Sequence, residues 1–90
     1  MVEKIWVVLG TTGEYSERSE WVVDAWRSEA EAQDRVEFLK SRMHELGIGA
    51  YDRYGTKYEA ACVEMRKEDA CFSNDYTGTE WYVSATELKP

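Results

Sequence analysis

The sequence predicts an α+β fold with the element order ββααβ, a three-stranded antiparallel sheet with one long and one short helix packed on one face. Three observations support this prediction. Two β-branched and aromatic segments precede a well-capped amphipathic helix, a shorter segment with helical periodicity follows, and a third strand-like segment ends the chain. With 90 residues and no linker-like composition, residues 1–90 are expected to form one α+β domain.

The long helix is predicted over Ser28–Gly47 by its caps and its apolar stripe. Ser28 and Glu31 form the pair of a capping box, and Gly47 tolerates the positive φ that ends a helix. Between them apolar residues recur every three or four positions: Ala32, Val36, Leu39, Met43 and Leu46. We expect this stripe to pack on the sheet.

The strands are predicted from β-branched and aromatic segments bounded by turn residues. The first covers Lys4–Leu9 and ends at the turn cluster 10–13, the second covers Glu20–Trp26, and the third covers Glu80–Leu88. We expect the third strand to pair beside the first, because the first is the most uniformly apolar and therefore belongs in the centre.

The second, short helix is predicted over Lys57–Glu68. Its apolar residues recur at i, i+3, i+4 and i+7, the spacing of one helix face: Tyr58, Ala61, Cys62 and Met65. The segment 69–79 that follows is predicted to be a loop, since it is rich in residues that favour turns.

Both faces of the predicted sheet carry apolar residues, although a sheet covered by helices on one side normally shows polar residues on the other. Either the connections 10–19 and 69–79 fold over the second face, or that face contacts a second copy or another protein. Strict alternation places Ile5, Val7 and Leu9 on one face. The candidate interaction surface comprises residues assigned to the second face and one helix residue: Trp6, Val8, Val22, Trp26, Tyr82 and Phe38.

Phe38 is expected on the outer side of the long helix, opposite its apolar stripe. Three explanations remain for an aromatic residue there. It is a lone exposed ring, it is buried beneath the segment 48–56, or it contacts a partner.

The composition excludes several classes of protein. Eighteen acidic residues against eleven basic ones give a net charge of -7, which argues against direct binding of nucleic acid. No apolar run is long enough to span a membrane and the N-terminus does not resemble a signal peptide, so we expect a cytoplasmic protein. Cys62 and Cys71 are expected to be small buried hydrophobic residues, with a disulfide between them left open.

Motifs for chemistry are sparse in the sequence. His44 is the single histidine, no CxxC pair occurs, and no serine lies in a nucleophile motif. We therefore expect no enzyme activity, no metal site and no cofactor. One candidate ligand loop gathers phenols, hydroxyls and a carboxylate: Tyr15, Asp75, Tyr76, Thr77 and Thr79. For residues 75–79 the favoured explanation is an Asx-type turn that starts the last strand.

Several short motifs together resemble those of a family of small bacteriophage and prophage proteins. A GEYS-like turn at 13–16 follows the first strand, and a DYTGT-like turn at 75–79 precedes Trp81 and Tyr82 in the last strand. The resemblance implies no catalytic activity. It implies a protein of the host cell cytoplasm that binds a host or phage component, including defence machinery.

Three functions follow as hypotheses. The first is a non-enzymatic interaction protein, a modulator or inhibitor of a host component, that works as a homodimer or with another protein. The second is a dimeric protein that binds or sequesters a small molecule such as a nucleotide. The third is an enzyme, for which the sequence offers no nucleophile–base pair and no metal-ligand set.

Overall fold

Five elements form the fold in the predicted order ββααβ, confirming the α+β class. The computed structural model describes residues 3–13, 18–48, 55–74 and 78–88. The elements are β1 (Glu3–Thr12), β2 (Ser19–Trp26), α1 (Glu29–Glu45), α2 (Thr56–Arg66) and β3 (Thr79–Leu88). Each begins and ends within a few residues of its predicted bounds, and the largest difference lies at the end of β1.

The strands form one antiparallel sheet in the order β2-β1-β3, so β1 is central as predicted. Pairing between β1 and β3 is continuous from Glu3–Leu88 to Thr12–Thr79. Pairing between β1 and β2 shifts by one residue, because Val8 faces Asp24 whereas Leu9 faces Val22. A bulge at Val23 therefore interrupts β2.

β1 continues through three residues that were predicted to form a turn. Gly10 pairs with Trp21 on β2 and with Trp81 on β3, so it lies inside the sheet. A Cβ atom at residue 10 would lie 2.4 Å from the indole carbon Cε2 of Trp21. Gly10 thus makes room for an indole ring, and the turn conformation begins only at Gly13, whose φ is 91°.

The helix α1 has the predicted caps and buried stripe. The Ser28 hydroxyl accepts a hydrogen bond from the Glu31 amide at 3.4 Å, which is one half of the capping box. Ala32, Val36 and Leu39 are buried, and Gly47 has a φ of 71° just after the last turn. The helix itself ends two residues earlier than predicted, at Glu45.

The core lies between the sheet and the helices. α2 contributes Cys62 and Met65 to it, and the Phe72 ring stacks on Trp81 with 6.1 Å between ring centroids. The buried apolar residues form one cluster that draws on β1, β3, both helices and the segments that follow the helices: Val8, Ala32, Val36, Leu39, Ile48, Cys62, Met65, Phe72 and Trp81. Both helices thus bury side chains in the same core, on one side of the sheet.

Among the described residues, no helix has the length and apolar character that crossing a membrane requires. Cys62 is buried as expected, but Cys71 is exposed, and both are free thiols. The prediction for Cys71 is wrong because its turn after α2 places it on the surface.

Candidate interaction surface

Half of the predicted interaction surface lies on the wrong side of the sheet. Val8 is buried in the core, and Trp6 and Trp26, which pair with each other, are partly buried against it. The bulge at Val23 is the physical reason for part of this error, because it moves Trp26 to the helix side while Val22 stays on the other. These three residues therefore face the helices.

The side of the sheet opposite the helices, here called the open face, is centred on alternate residues of β1. Ile5, Val7 and Leu9 lie there half-buried. Directly opposed residues of an antiparallel pair share a face, so the flanking strands add Val22, Ala25, Tyr82 and Ser84. Of these, Val22 is 60% exposed and Tyr82 is 38% exposed.

The open face has a polar end built around Glu20. The Tyr82 hydroxyl donates a hydrogen bond to Glu20 Oε1 at 2.7 Å, and Arg18 Nη2 donates to the same oxygen at 2.8 Å. Because Tyr82 is on β3 and Glu20 on β2, the phenol spans the central strand. Arg18 Nε also donates to Thr11 Oγ1 at 3.1 Å, which ties the start of β2 to β1.

The contact with Glu20 changes the acidity of Tyr82. The pKa of the Tyr82 hydroxyl is raised above its usual value of 10.0. The largest cause is the hydrogen bond to the Glu20 carboxylate, followed by desolvation of the phenol and then by charge repulsion from the Glu20 carboxylate. The physical reason is that an ionised phenol would place a second negative charge beside the carboxylate. Tyr82 therefore remains a neutral hydrogen-bond donor at physiological pH.

Phe38 is exposed on the outer side of α1, which fits both a lone exposed ring and a contact with a partner. Its side chain is 44% exposed. The guanidinium carbon of Arg35 lies 5.4 Å from its ring centroid. Arg35 is itself held by Asp24 Oδ2 at 2.9 Å and by the Glu68 carbonyl. Phe38 thus belongs to the helix side, separate from the open face.

Sequence reasoning missed a buried carboxylate that organises the sheet end nearest α2. Asp69 is 1% exposed, and its Oδ2 accepts hydrogen bonds from the indole N–H groups of Trp21 at 2.7 Å and Trp81 at 3.0 Å. Its Oδ1 accepts a bond from the Cys71 amide at 3.3 Å. The signal was the number of tryptophans, because a buried indole N–H requires an acceptor.

A groove of about 490 Å³ lies beside α2, where β1 ends and β2 begins. Its walls combine hydroxyl, charged, amide, thiol and apolar side chains: Thr12, Ser19, Tyr58, Glu59, Cys62, Val63, Arg66, Ser73 and Asn74. Thr79 of the candidate ligand loop adjoins this groove, since its hydroxyl donates to Asn74 Oδ1 at 2.9 Å. The other four residues of that loop lie outside the described residues: Tyr15, Asp75, Tyr76 and Thr77.

Within the described ranges, no group of three or more His, Cys, Asp or Glu side chains is placed to hold a metal ion. The chain matches no protein-family model, no curated protein and no solved structure. The fold and its surfaces therefore define the class, a small α+β domain whose sheet has one face covered by helices and one, the open face, over which no described helix or strand lies.

Proposed function

We propose that this is a small non-enzymatic accessory protein that acts by binding another protein through the open face of its sheet. The observation that carries the proposal is the exposure of Val22, which lies opposite Leu9 on the open face. The solvent-facing side of such a sheet normally carries polar residues, so exposed apolar residues there indicate a contact surface. Burying the exposed part of Val22 against a partner would contribute on the order of 1–2 kcal/mol. Apolar contact at the centre of a patch is what stabilises most protein interfaces.

The resemblance to small phage and prophage proteins supports the choice of partner. It favours a host or phage protein in the host cytoplasm, with the present protein acting as a modulator or inhibitor, including of a defence component. A homodimer formed through the same face is the competing arrangement. Direct binding to nucleic acid is disfavoured by the net charge of -7.

The chain offers a matched pair of valines for the test. Val22 on the open face is 60% exposed, and Val63 on α2 is 57% exposed on a different surface. The tagged protein and its Val22→Glu and Val63→Glu variants are incubated with host lysate, and bound proteins are identified by mass spectrometry. We expect one partner in a fixed ratio with the wild type and Val63→Glu, and its loss with Val22→Glu, while circular dichroism shows all three folded.

Two results would contradict this proposal. Equal loss of the partner with both variants would remove the open face from the interaction. Light scattering that shows a dimer, converted to a monomer by Val22→Glu alone, would show that the face binds a second copy.

The groove beside α2 favours a second candidate function, the binding of a small molecule such as a nucleotide. Arg66 supplies a cation and Tyr58 an aromatic ring at its wall. The test is a thermal-shift screen with nucleotides, using Arg66→Gln as the comparison. A nucleotide that raises the unfolding temperature of the wild type but not of the variant would favour this function, and no shift with any nucleotide would reject it.

A further inference from the structure

We infer that the outer edge of β3 is a binding site for an extended basic segment of a partner protein, which adds to the sheet as a fourth strand. This site lies along the edge of the sheet, away from the centre of the open face. The inference depends on the backbone of the edge strand and on the charges of Glu80 and Glu87, whereas the proposed function depends on apolar side chains at the centre of the open face.

The two edges of the sheet differ in how well they are protected against strand addition. β2 has 8 residues and a bulge at Val23. Short edge strands and bulges both hinder the pairing of an edge strand with another chain. β3 has 10 residues in continuous register with β1, and it contains neither a lysine nor a proline. Only β3 is therefore long, regular and unblocked.

The outer side of β3 has no backbone partner in the part of the chain that the structure describes. The sheet has three strands with β3 at its edge, and none of the backbone hydrogen bonds outside the regular elements involves residues 79–88. Side chains on both faces of this strand are exposed, from Glu80 and Tyr82 to Ala85 and Glu87. An extended peptide can pair with such an edge through main-chain hydrogen bonds.

The charges on β3 indicate which segment fits. Glu80 and Glu87 are its only charged residues, and neither has an ion-pair partner within 4.0 Å among the described residues. Lys4 lies opposite Glu87 on β1, whereas Glu80 lies opposite the neutral Thr11. An incoming strand with cations facing both glutamates would form two favourable cross-strand pairs.

A second copy fits this edge less well. If β3 of one copy pairs over its full length with β3 of a second copy, in antiparallel orientation, the pairing is centred between Val83 and Ser84. Glu80 of each copy then lies opposite Glu87 of the other copy. Like charges directly opposite each other destabilise a strand pair. Avoiding these contacts requires a shifted register with fewer hydrogen bonds, so charge favours a basic partner over self-association.

The test uses a ten-residue synthetic peptide of alternating Thr and Val with Lys at positions 2 and 9. In full antiparallel register these lysines face Glu87 and Glu80, and a control peptide carries Glu at both positions. Binding to the ¹⁵N-labelled full chain is followed by chemical shifts and amide exchange of residues 79–88. The two attractive pairs alone should make the Lys peptide bind about 2- to 30-fold more tightly than a neutral peptide, and repulsion of the Glu peptide should widen the difference between the two. We expect amide exchange in β3 to slow when the Lys peptide binds.

Charge reversal separates edge pairing from general attraction to an acidic protein. Glu80→Lys with Glu87→Lys should reverse the preference, so that the Glu peptide binds more tightly. The control variant Asp34→Lys with Glu59→Lys makes the same change in net charge at exposed helix positions and should leave the preference unchanged. Val22→Glu should also leave peptide binding unchanged, which distinguishes this site from the open face.

Three outcomes would overturn the inference. The first is that neither peptide perturbs residues 79–88. The second is that the preference for the Lys peptide survives the reversal of Glu80 and Glu87 or disappears in the Asp34 and Glu59 control. The third is a dimer in solution with contacts between the β3 strands of two copies, which would assign the edge to a second copy.

Discussion

Asp69 and Trp21 are 48 positions apart in the sequence and are joined by a 2.7 Å hydrogen bond from the indole N–H to the carboxylate Oδ2. The same oxygen accepts the indole N–H of Trp81, so one carboxylate in the turn after α2 holds both edge strands. The two indoles flank Gly10 of the central strand, with which both tryptophans pair. This cluster of four residues fixes the end of the sheet nearest α2.

The first prediction concerns the Asp69 carboxylate. Asp69→Ala should lower the free energy of unfolding by about 2–5 kcal/mol, because two indole N–H groups lose their acceptor in a buried place. Asp69→Asn should cost less, since its amide oxygen can still accept both indoles. Its NH₂ group would then face the Cys71 amide, which is also a donor, so some loss remains. Urea unfolding followed by tryptophan fluorescence measures both variants.

The exposed Asp34 provides the control for this prediction. Asp34→Ala should change the free energy of unfolding by no more than about 0.5 kcal/mol. A result for Asp69→Ala as small as the control value would mean that the two indole contacts do not stabilise the fold.

The second prediction compares two glycines that are required for different reasons. Gly10→Ala should destabilise the protein by about 1–3 kcal/mol, because the new methyl group would overlap the Trp21 ring. Gly47→Ala should cost about 1–2 kcal/mol through its φ of 71° alone, since the added Cβ meets nothing within 4 Å beyond the local backbone.

A double-mutant cycle with Trp21→Ala distinguishes the two mechanisms. Removal of the indole should abolish most of the cost of Gly10→Ala and leave the cost of Gly47→Ala unchanged. Additive free energies in the Gly10 cycle would rule out steric conflict with Trp21 as the cause.

The order of the elements and the helix caps could be predicted because they depend on neighbouring residues. Ser28 and Glu31 are three positions apart, and the central place of β1 follows from its apolar sequence. The assignment of faces could not be predicted in the same way. Ile5 and Trp6 are both apolar, so alternation alone does not determine which of them faces the helices.

The remaining differences arise from contacts between distant residues. The bulge at Val23 places Trp21 and Trp26 on the same side of the sheet although they are five positions apart, and strict alternation would separate them. Asp69 lies outside the helices and strands as predicted, but its burial could not be predicted because nothing in its own neighbourhood indicates it. Both features become visible only when β2, β3 and the turn after α2 are brought together.

The third prediction concerns the pH dependence of stability that Tyr82 confers. Its pKa in the folded protein is raised above 10.0, chiefly by the hydrogen bond to Glu20. The folded state therefore holds this proton more tightly than the unfolded chain does. The resulting stability is fully present below the unfolded pKa of about 10 and is lost as the pH rises through the folded value.

Urea unfolding of the wild type and of Tyr82→Phe between about pH 8 and pH 11.5 measures this contribution. Every other ionisable group is present in both proteins, so only the difference between the two curves reports Tyr82. We expect the wild type to be the more stable below pH 10 and its advantage to shrink above that pH. Glu20→Gln should remove most of the effect, because the neutral amide no longer opposes ionisation of the phenol. Parallel curves for wild type and Tyr82→Phe across the whole range would show that the contact with Glu20 does not contribute to folding.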